Sequence, residues 1–434
     1  MHIRPALKGA ALIAIGAALL PMGSRAGAQA APTPAAAASV PGWNEFLDGL
    51  RDLPAKMLAR LPEKDRNDPQ VQQEIGRLAL SAVAGASISA LASDPDHPSF
   101  IPSLNNYITV GQPNADTNYR SVELTPGGSY RLRGRRGTMR QVRIAQAGPI
   151  PKQTPGTVNL GAKRWATHDL NALKVDKDGR YDVILSPARP AGYTGDWWQL
   201  DPVSNRLLLR MVGSNWGHEV EPTLSIERID APAVRPRPAA AILEAKLRAI
   251  PTAAGFIAPL LVGQVEKLRQ EGFVNKLKGS DFANMGGLLG QYYYEGAYEL
   301  ADDEALIVEA KLPDKCLYRS ILLTNEIYET TDWYNNHSSL NDTQAKADAD
   351  GMLRVVISAR DPGVPNWLDT AGYPKGAIQG RWTECSSQPV PTVRKVALAD
   401  VRKSLPAGTP TVTAEQREQI VRDRRAALQQ RPLW

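Results

Sequence analysis

Asp176-Lys177-Asp178-Gly179-Arg180-Tyr181-Asp182-Val183-Ile184-Leu185-Ser186-Pro187-Ala188-Arg189 and Asp348-Ala349-Asp350-Gly351-Met352-Leu353-Arg354-Val355-Val356-Ile357-Ser358-Ala359-Arg360 are two copies of one pattern. Each opens on an Asp-x-Asp-Gly turn, continues as an apolar alternating run and closes on Ser and Ala-Arg. The match continues downstream through Trp198 and Trp367 to Arg210 and Arg381. Upstream, His168, Leu170 and Asn171 match His337, Leu340 and Asn341, and Trp165 roughly matches Trp333. The aspartates lie 172 residues apart and both arginine pairs 171. An offset this constant marks an internal duplication. Alternating runs broken by Gly, Pro and Asp-Gly are the texture of short strands. The pattern predicts an α+β, mainly β chain: two related β-sandwich or jelly-roll domains with helical segments before and between them.

Working outward, the first β-domain occupies 114–232 and the second 288–390. A helical region fills 43–113. There Trp43, Phe46, Leu47, Leu50, Met57 and Leu61 recur at helical spacing, with Pro54 as a break. Asp68-Pro69 reads as the N-cap and first-turn proline of a second helix running to Leu91. A helical insert covers 233–287. The segment 391–434 is a basic tail in which Thr413 and Gln416 form a capping box for a final helix. Its Arg422, Arg424 and Arg425 read as a solvated face.

Residues 1–30 have the build of a secretory signal. Arg4 and Lys8 precede an apolar run from Ala10 to Leu20, and Ala26-Gly27-Ala28 fits a cleavage site. Residues 31–42 are a Pro- and Ala-rich flexible lead-in. The expected location is periplasmic or secreted. Past the signal, the run Leu78–Ala92 is too short for a bilayer and carries serines, so no membrane span is expected. The net charge of +6 falls once Arg4, Lys8 and Arg25 are removed, leaving 48 bases against 45 acids. That excess is too small for a nucleic-acid footprint, so no nucleic-acid partner is expected. The sequence leaves the oligomeric state open.

Cys316 and Cys385 are the only two cysteines. In an oxidising compartment they form one disulfide, two buried thiols being the alternative. Both Asp-x-Asp-Gly segments lack the acids that a calcium loop needs at its ends, and read as turns. His218-Glu219-Val220-Glu221 on a strand would point its histidine away from both acids. No H-E-x-x-H, G-x-S-x-G, phosphate-loop or dinucleotide-loop pattern is present. No metal and no cofactor are expected.

Two loops concentrate chemistry. Asp332-Trp333-Tyr334-Asn335-Asn336-His337 offers His337 as general base or acid with Tyr334 as a second proton carrier. Arg360-Asp361-Pro362-Gly363-Val364-Pro365-Asn366-Trp367-Leu368-Asp369, followed by Arg381, is stiffened by its prolines. Arg360 or Arg381 would hold an anionic group, and Trp367, Trp333 and Asn366 would grip the rest of a substrate. Asp369, with Asp332 and Asp361, would serve a paired-carboxylate mechanism. The alternative is structural: an Arg360–Asp361 ion pair and Trp367 as a plug of the sandwich.

Arg360 through Gly372, with Gly376 and Arg381-Trp382, closely resembles the bacterial domain-of-unknown-function family numbered twelve-fourteen. Pro113-Asn114-Ala115-Asp116-Thr117-Asn118-Tyr119 resembles the signature of its companion family, numbered twelve-fifty-four. The resemblance implies a two-part β architecture with helical elements and carries no settled reaction. The functional expectation is an exported catabolic protein that binds a small molecule or glycan and cleaves it by acid–base chemistry, as a lyase or hydrolase. The alternative is a non-enzymatic periplasmic ligand-binding or envelope-assembly protein.

Overall fold

The computed structural model describes residues 39–152 and 159–432. The segment 1–30, read above as a secretory signal, and most of the lead-in fall outside the described residues. Four helices open the chain: α1 (Trp43–Arg51), α2 (Leu53–Leu58), α3 (Glu63–Arg66) and α4 (Pro69–Ala92). The break between α1 and α2 falls at Asp52. Pro54 stands in the first turn of α2, where its missing N–H breaks no helical bond. Asp68 caps α4 as its sequence predicts, accepting from the Gln70 and Val71 N–H groups.

The first sandwich contains β1 (Ile101–Pro102), β2 (Thr117–Glu123), β3 (Tyr130–Arg135), β4 (Gln141–Ala147), β5 (Thr167–Asp169), β6 (Arg180–Ser186), β7 (Asp196–Gln199), β8 (Arg206–Val212) and β9 (Thr223–Arg228). Helices α5 (Ala240–Leu261) and α6 (Gln264–Gln270) follow. The second sandwich contains β10 (Lys278–Ser280), β11 (Gln291–Glu299), β12 (Glu304–Lys311), β13 (Cys316–Leu323), β14 (Ser339–Asn341), β15 (Met352–Ser358), β16 (Trp367–Asp369), β17 (Lys375–Cys385) and β18 (Thr392–Ala397). Helix α7 (Ala414–Gln429) closes the chain.

The duplication is complete at the level of topology. The first sandwich has sheets ordered β1-β2-β8-β4-β5 and β7-β6-β3-β9. The second has β10-β11-β17-β13-β14 and β16-β15-β12-β18, the same orders advanced by nine strands. Each pair of sheets closes on its own apolar core, one around Tyr130, Leu132, Leu185 and Leu209, the other around Tyr298, Leu306, Ile357 and Trp382. The two Asp-Gly turns have the same build, with Gly179 and Gly351 at φ 73° and 76°. Each glycine N–H donates to the carbonyl of the leading aspartate, Asp176 or Asp348.

Register corrects one detail of the repeat. Trp197 pairs with Ile184 as Trp367 pairs with Val356, and each indole donates to the serine ending the neighbouring strand, Ser186 or Ser358. Trp197, not Trp198, is therefore the counterpart of Trp367. The domain limits also shift. β1 lies inside the region read as helical, and β10 and β18 lie outside 288–390. Strands of two or three residues such as β1 and β10 are too short to show an alternating pattern.

Helices α2, α4 and α5 bury Met57, Ile75, Leu78, Ala254 and Ala258 in a third core that also takes Ile327 from the second sandwich. Helix α4 is longer than its apolar run suggests. By length and composition it and the α5–α6 stretch could each cross a membrane, which corrects the expectation that nothing past the signal is long enough. Cys316 and Cys385 are directly opposed on β13 and β17 and are bonded. On α7 the capping box is present, but Arg424 is not part of a solvated face. Its Nη2 donates to the Trp333 carbonyl at 2.7 Å and to Ser339 Oγ at 2.8 Å, with the guanidinium over the Trp216 ring.

Candidate functional site

Strand alternation builds the site. On β8, Leu207, Leu209 and Met211 are fully buried in the first core. Arg206, Leu208, Arg210 and Val212 therefore face the other way, and they line a cavity of about 380 Å³. On β17, Ile378 and Trp382 belong to the second core, and Gln379 and Arg381 line the same cavity. Helices α4 and α5 add a largely aliphatic wall that includes Ala82, Ala86, Ile257 and Leu260. The five-stranded sheets of both sandwiches and the helices before and between them thus share one cavity.

The duplication places a matched pair of residues on the two sheets. Tyr119 on β2 stands opposite Arg210 on β8, and Tyr293 on β11 stands opposite Arg381 on β17. In each pair the guanidinium lies over the tyrosine ring, at 6.0 Å and 5.5 Å from the centroid. The rings are tethered: Tyr119 OH accepts from the Asn114 N–H at 3.2 Å and Tyr293 OH from the Leu288 N–H at 3.4 Å. Arg210 also donates to the Gly286 carbonyl.

Arg381 is 4% exposed. Its Nη2 donates to Gln379 Oε1 at 2.5 Å, and Gln379 Nε2 donates to the Tyr328 hydroxyl at 2.7 Å. That hydroxyl donates to Glu295 Oε2 at 3.1 Å. The nearest carboxylate in this chain of hydrogen bonds is thus three bonds away, behind the cavity wall. Burial pushes the Glu295 carboxyl up from the usual range, against hydrogen bonds from Ser280 and Tyr328 that lower it. The Nη1 of Arg381 has no hydrogen-bond partner. Arg206 makes no hydrogen bond or ion pair among the described residues, and it retains accessible surface. Desolvation nevertheless pushes its guanidinium pKa down, the Glu123 charge opposing. By accessible surface Arg206 is an exposed residue of the cavity lining. Among the described residues the lining holds three arginines and no aspartate, glutamate, lysine or histidine.

The loops singled out in the sequence lie elsewhere, apart from Arg381. His337 is buried, at 4% exposure, and lines neither this cavity nor the next. Its Nδ1 meets the Trp367 carbonyl and its Nε2 lies 3.4 Å from Arg417 Nη1. A carbonyl only accepts and a guanidinium only donates, so Nδ1 carries the proton and the Nε2 lone pair is occupied. Burial, with the charges of Arg424 and Arg417, drives its pKa well below the usual histidine value. His337 is a structural imidazole, and the expected general base is corrected accordingly. His168 repeats the theme in the first sandwich: each histidine stacks on a tryptophan at 9°, Trp198 or Trp367.

Trp367 and Asn366 are also structural. Asn366 Nδ2 donates to the Lys346 carbonyl at 2.7 Å and the Arg354 carbonyl at 3.0 Å. Arg360 binds the Asp302 carbonyl, and Asp361 pairs with Arg417 at 2.8 Å rather than with Arg360. Asp369 accepts from the Ala371 N–H at 2.8 Å, and burial raises its pKa. Tyr334, Trp333 and Asp332 line a second cavity of about 410 Å³ with Arg77 and Glu329. Glu329 is already engaged there by Arg77 at 2.6 Å and Thr109 at 2.7 Å. His218 stands exposed in a turn, not on a strand. Among the described residues no cluster of metal-ligating side chains occurs.

The sequence reading passed over Arg206, Tyr293, Tyr328 and Gln379. It used Arg210 only as the end-marker of the repeat and Tyr119 only as the last letter of a signature. The usable signal was the duplication itself, because both copies end on an arginine of the cavity-facing register.

No protein-family profile matches the chain, and no curated protein matches it. Among solved structures, an uncharacterized protein from Burkholderia cenocepacia is 27% identical. It has a TM-score of 0.74 and covers 83% of this chain and 98% of its own. A Vibrio parahaemolyticus protein is 12% identical over 80% of this chain and 100% of its own, at a TM-score of 0.41. The Burkholderia protein shares the fold over most of this chain.

Proposed function

We propose that this chain is a ligand-binding protein, acting outside the cytoplasm, whose ligand is a small amphipathic anion held in the central cavity. The observation that carries the reading is the composition of the wall, which among the described residues holds three arginines, no carboxylate and otherwise mainly apolar surface. An apolar wall with a few placed polar groups is the build of a small-molecule site, and a volume near 380 Å³ suits a ligand at the small end of the drug-sized range. Arg381 lines the cavity, and a carboxylate or sulfate meets a guanidinium in the fork geometry that it favours. The aliphatic helix residues suit an alkyl or ring body better than a polyol, which weighs against a glycan. Acid–base cleavage finds no support at this wall, since neither histidine nor acid reaches it.

An oxidising compartment is supported by the Cys316–Cys385 bond and by the signal-like segment 1–30. The resemblance to the twelve-fourteen and twelve-fifty-four families fits the same reading. Tyr119 ends one signature and Arg381 stands in the other, and the two line one cavity.

The test is calorimetric titration of the purified mature chain with dodecanoate, with dodecyltrimethylammonium and with glucuronate. Dodecanoate is expected to bind, and Arg381→Met to weaken it by about tenfold or more, which corresponds to about 1.4 kcal/mol. Equal binding of the alkyl cation, or preference for glucuronate, would overturn the reading.

A further inference from the structure

Arg206 is the feature of the cavity that a single anionic group leaves unexplained. It shares the cavity face of β8 with Arg210, four residues on. An extended strand rises about 3.3 Å per residue, so the two Cα atoms are about 13 Å apart. Arg210 is committed to the Gly286 carbonyl and the Tyr119 ring. Gly286 belongs to the loop that also places Leu288 on the Tyr293 hydroxyl, so Arg210 and the Arg381–Tyr293 pair meet the same segment. Arg206 stands at the other end of the strand. Its cross-strand neighbour Glu123 faces it in register but forms no ion pair with it and does not line the cavity. The position matching Arg206 in the second sandwich, at the offset of Arg210 and Arg381, is the fully buried Ala377. Arg206 is therefore not a by-product of the duplication. Leu208 lies between the two arginines on β8, with Ser121 beside it on β2, and Ile257, Leu260 and Leu261 on α5 line the same cavity.

We propose that the ligand is an amphipathic dianion, with one anionic group taken by Arg381 beside Arg210, a second taken by Arg206, and an apolar body lying along β8 and α5. The inference rests on the ligand-binding reading above and narrows its ligand to the class of long α,ω-dicarboxylates and their rigid analogues. A hexanedioate is too short to reach both poles.

The experiment compares dodecanedioate, dodecanoate and hexanedioate by calorimetry on the full mature chain, in wild type, Arg206→Met, Arg206→Lys and Arg381→Met. The expected result is that dodecanedioate binds about tenfold or more tighter than dodecanoate to wild type, with hexanedioate weakest. Arg206→Met is expected to bring dodecanedioate down to the dodecanoate level, and Arg206→Lys to restore part of the gap. The Arg206 side chain makes no hydrogen bond among the described residues, so its loss is expected to leave the fold intact, which unfolding curves of the variants check. If wild type binds dodecanoate and dodecanedioate equally, and Arg381→Met alone weakens both, the second pole is wrong and the ligand-binding reading stands. If none of the three acids binds, both fall.

Discussion

His337 shows how a residue type can point to a chemistry that its surroundings remove. Both ring nitrogens are occupied, by the Trp367 carbonyl and Arg417, and the ring is out of reach of either cavity. His337→Ala is expected to leave dodecanoate affinity unchanged within about twofold and to lower stability by about 2–3 kcal/mol. The loss comes from a buried carbonyl and guanidinium left without their partner. Calorimetry and urea unfolding of the same preparation check both halves. The first-sandwich histidine gives a pH signature. Burial lowers the His168 pKa to about 4 from the 6.5 of the unfolded chain. Between those values the unfolded chain binds a proton that the folded chain does not. Stability from this group is therefore complete above pH 6.5 and falls as the pH drops towards 4, by about 3 kcal/mol in all. Wild type should lose that much more than His168→Gln between pH 7 and pH 4, read by urea unfolding; parallel curves would refute the assignment. Neither environment was legible in the sequence, because the groups that occupy His337 come from Trp367 and from Arg417 on α7, 30 and 80 residues away.

At the scale of elements, β17 carries the most consequence. It is the centre of the second five-stranded sheet, presents Gln379 and Arg381 to the cavity, and is bonded to β13 through Cys385. That bond closes a loop of 69 residues. In the chain-entropy picture Cys316→Ser with Cys385→Ser costs about 4 kcal/mol, seen as a lower urea midpoint with a steeper slope, because the unfolded chain expands without the crosslink. Next to Arg381, Gly380 lies under the Tyr294 ring, and a Cβ placed there would sit 1.9 Å from Tyr294 Cζ. Gly380→Ala must displace a buried ring beside the site, so it is expected to destabilise by about 1–3 kcal/mol and to weaken dodecanoate binding as well. Normal stability with normal binding would count against this placement of Arg381. Elements with strong local signals were readable in advance: Asp68 at the start of α4, the Thr413–Gln416 capping box of α7, and the alternating β6 and β15. Helix caps and alternation are decided within a few residues, so a sequence displays them. β5, β14 and β16, three residues each, are strands only because neighbours hold them.

For the molecule as a whole, Asp116 joins the halves. Within the first sandwich it accepts from Trp216 Nε1 at 2.8 Å. Across to the second it accepts from the Tyr318 hydroxyl at 2.7 Å and Asn341 Nδ2 at 2.7 Å. Burial raises its pKa against these bonds, so an uncompensated loss there is costly. Asp116→Ala is expected to lower the unfolding temperature and to split one cooperative transition into two in scanning calorimetry. A single transition at the wild-type temperature would show that the sandwiches are held together elsewhere. The sequence by itself determined that there are two β-sandwiches of one lineage with helices before and between them. A repeat at a constant offset with strand alternation is a property of the chain order. It also supplied Arg381 as a candidate anion holder, and Tyr119 only as the last letter of a signature. Only the tertiary structure brings Arg206, Arg210 and Arg381 to a cavity shared by two sheets and two helices, away from the Pro-rich loop at Arg360–Asp369. The reason is physical: on every strand of such a sandwich one face goes to the core, and what the other face meets is set by how distant segments pack. No local pattern of residues encodes that meeting.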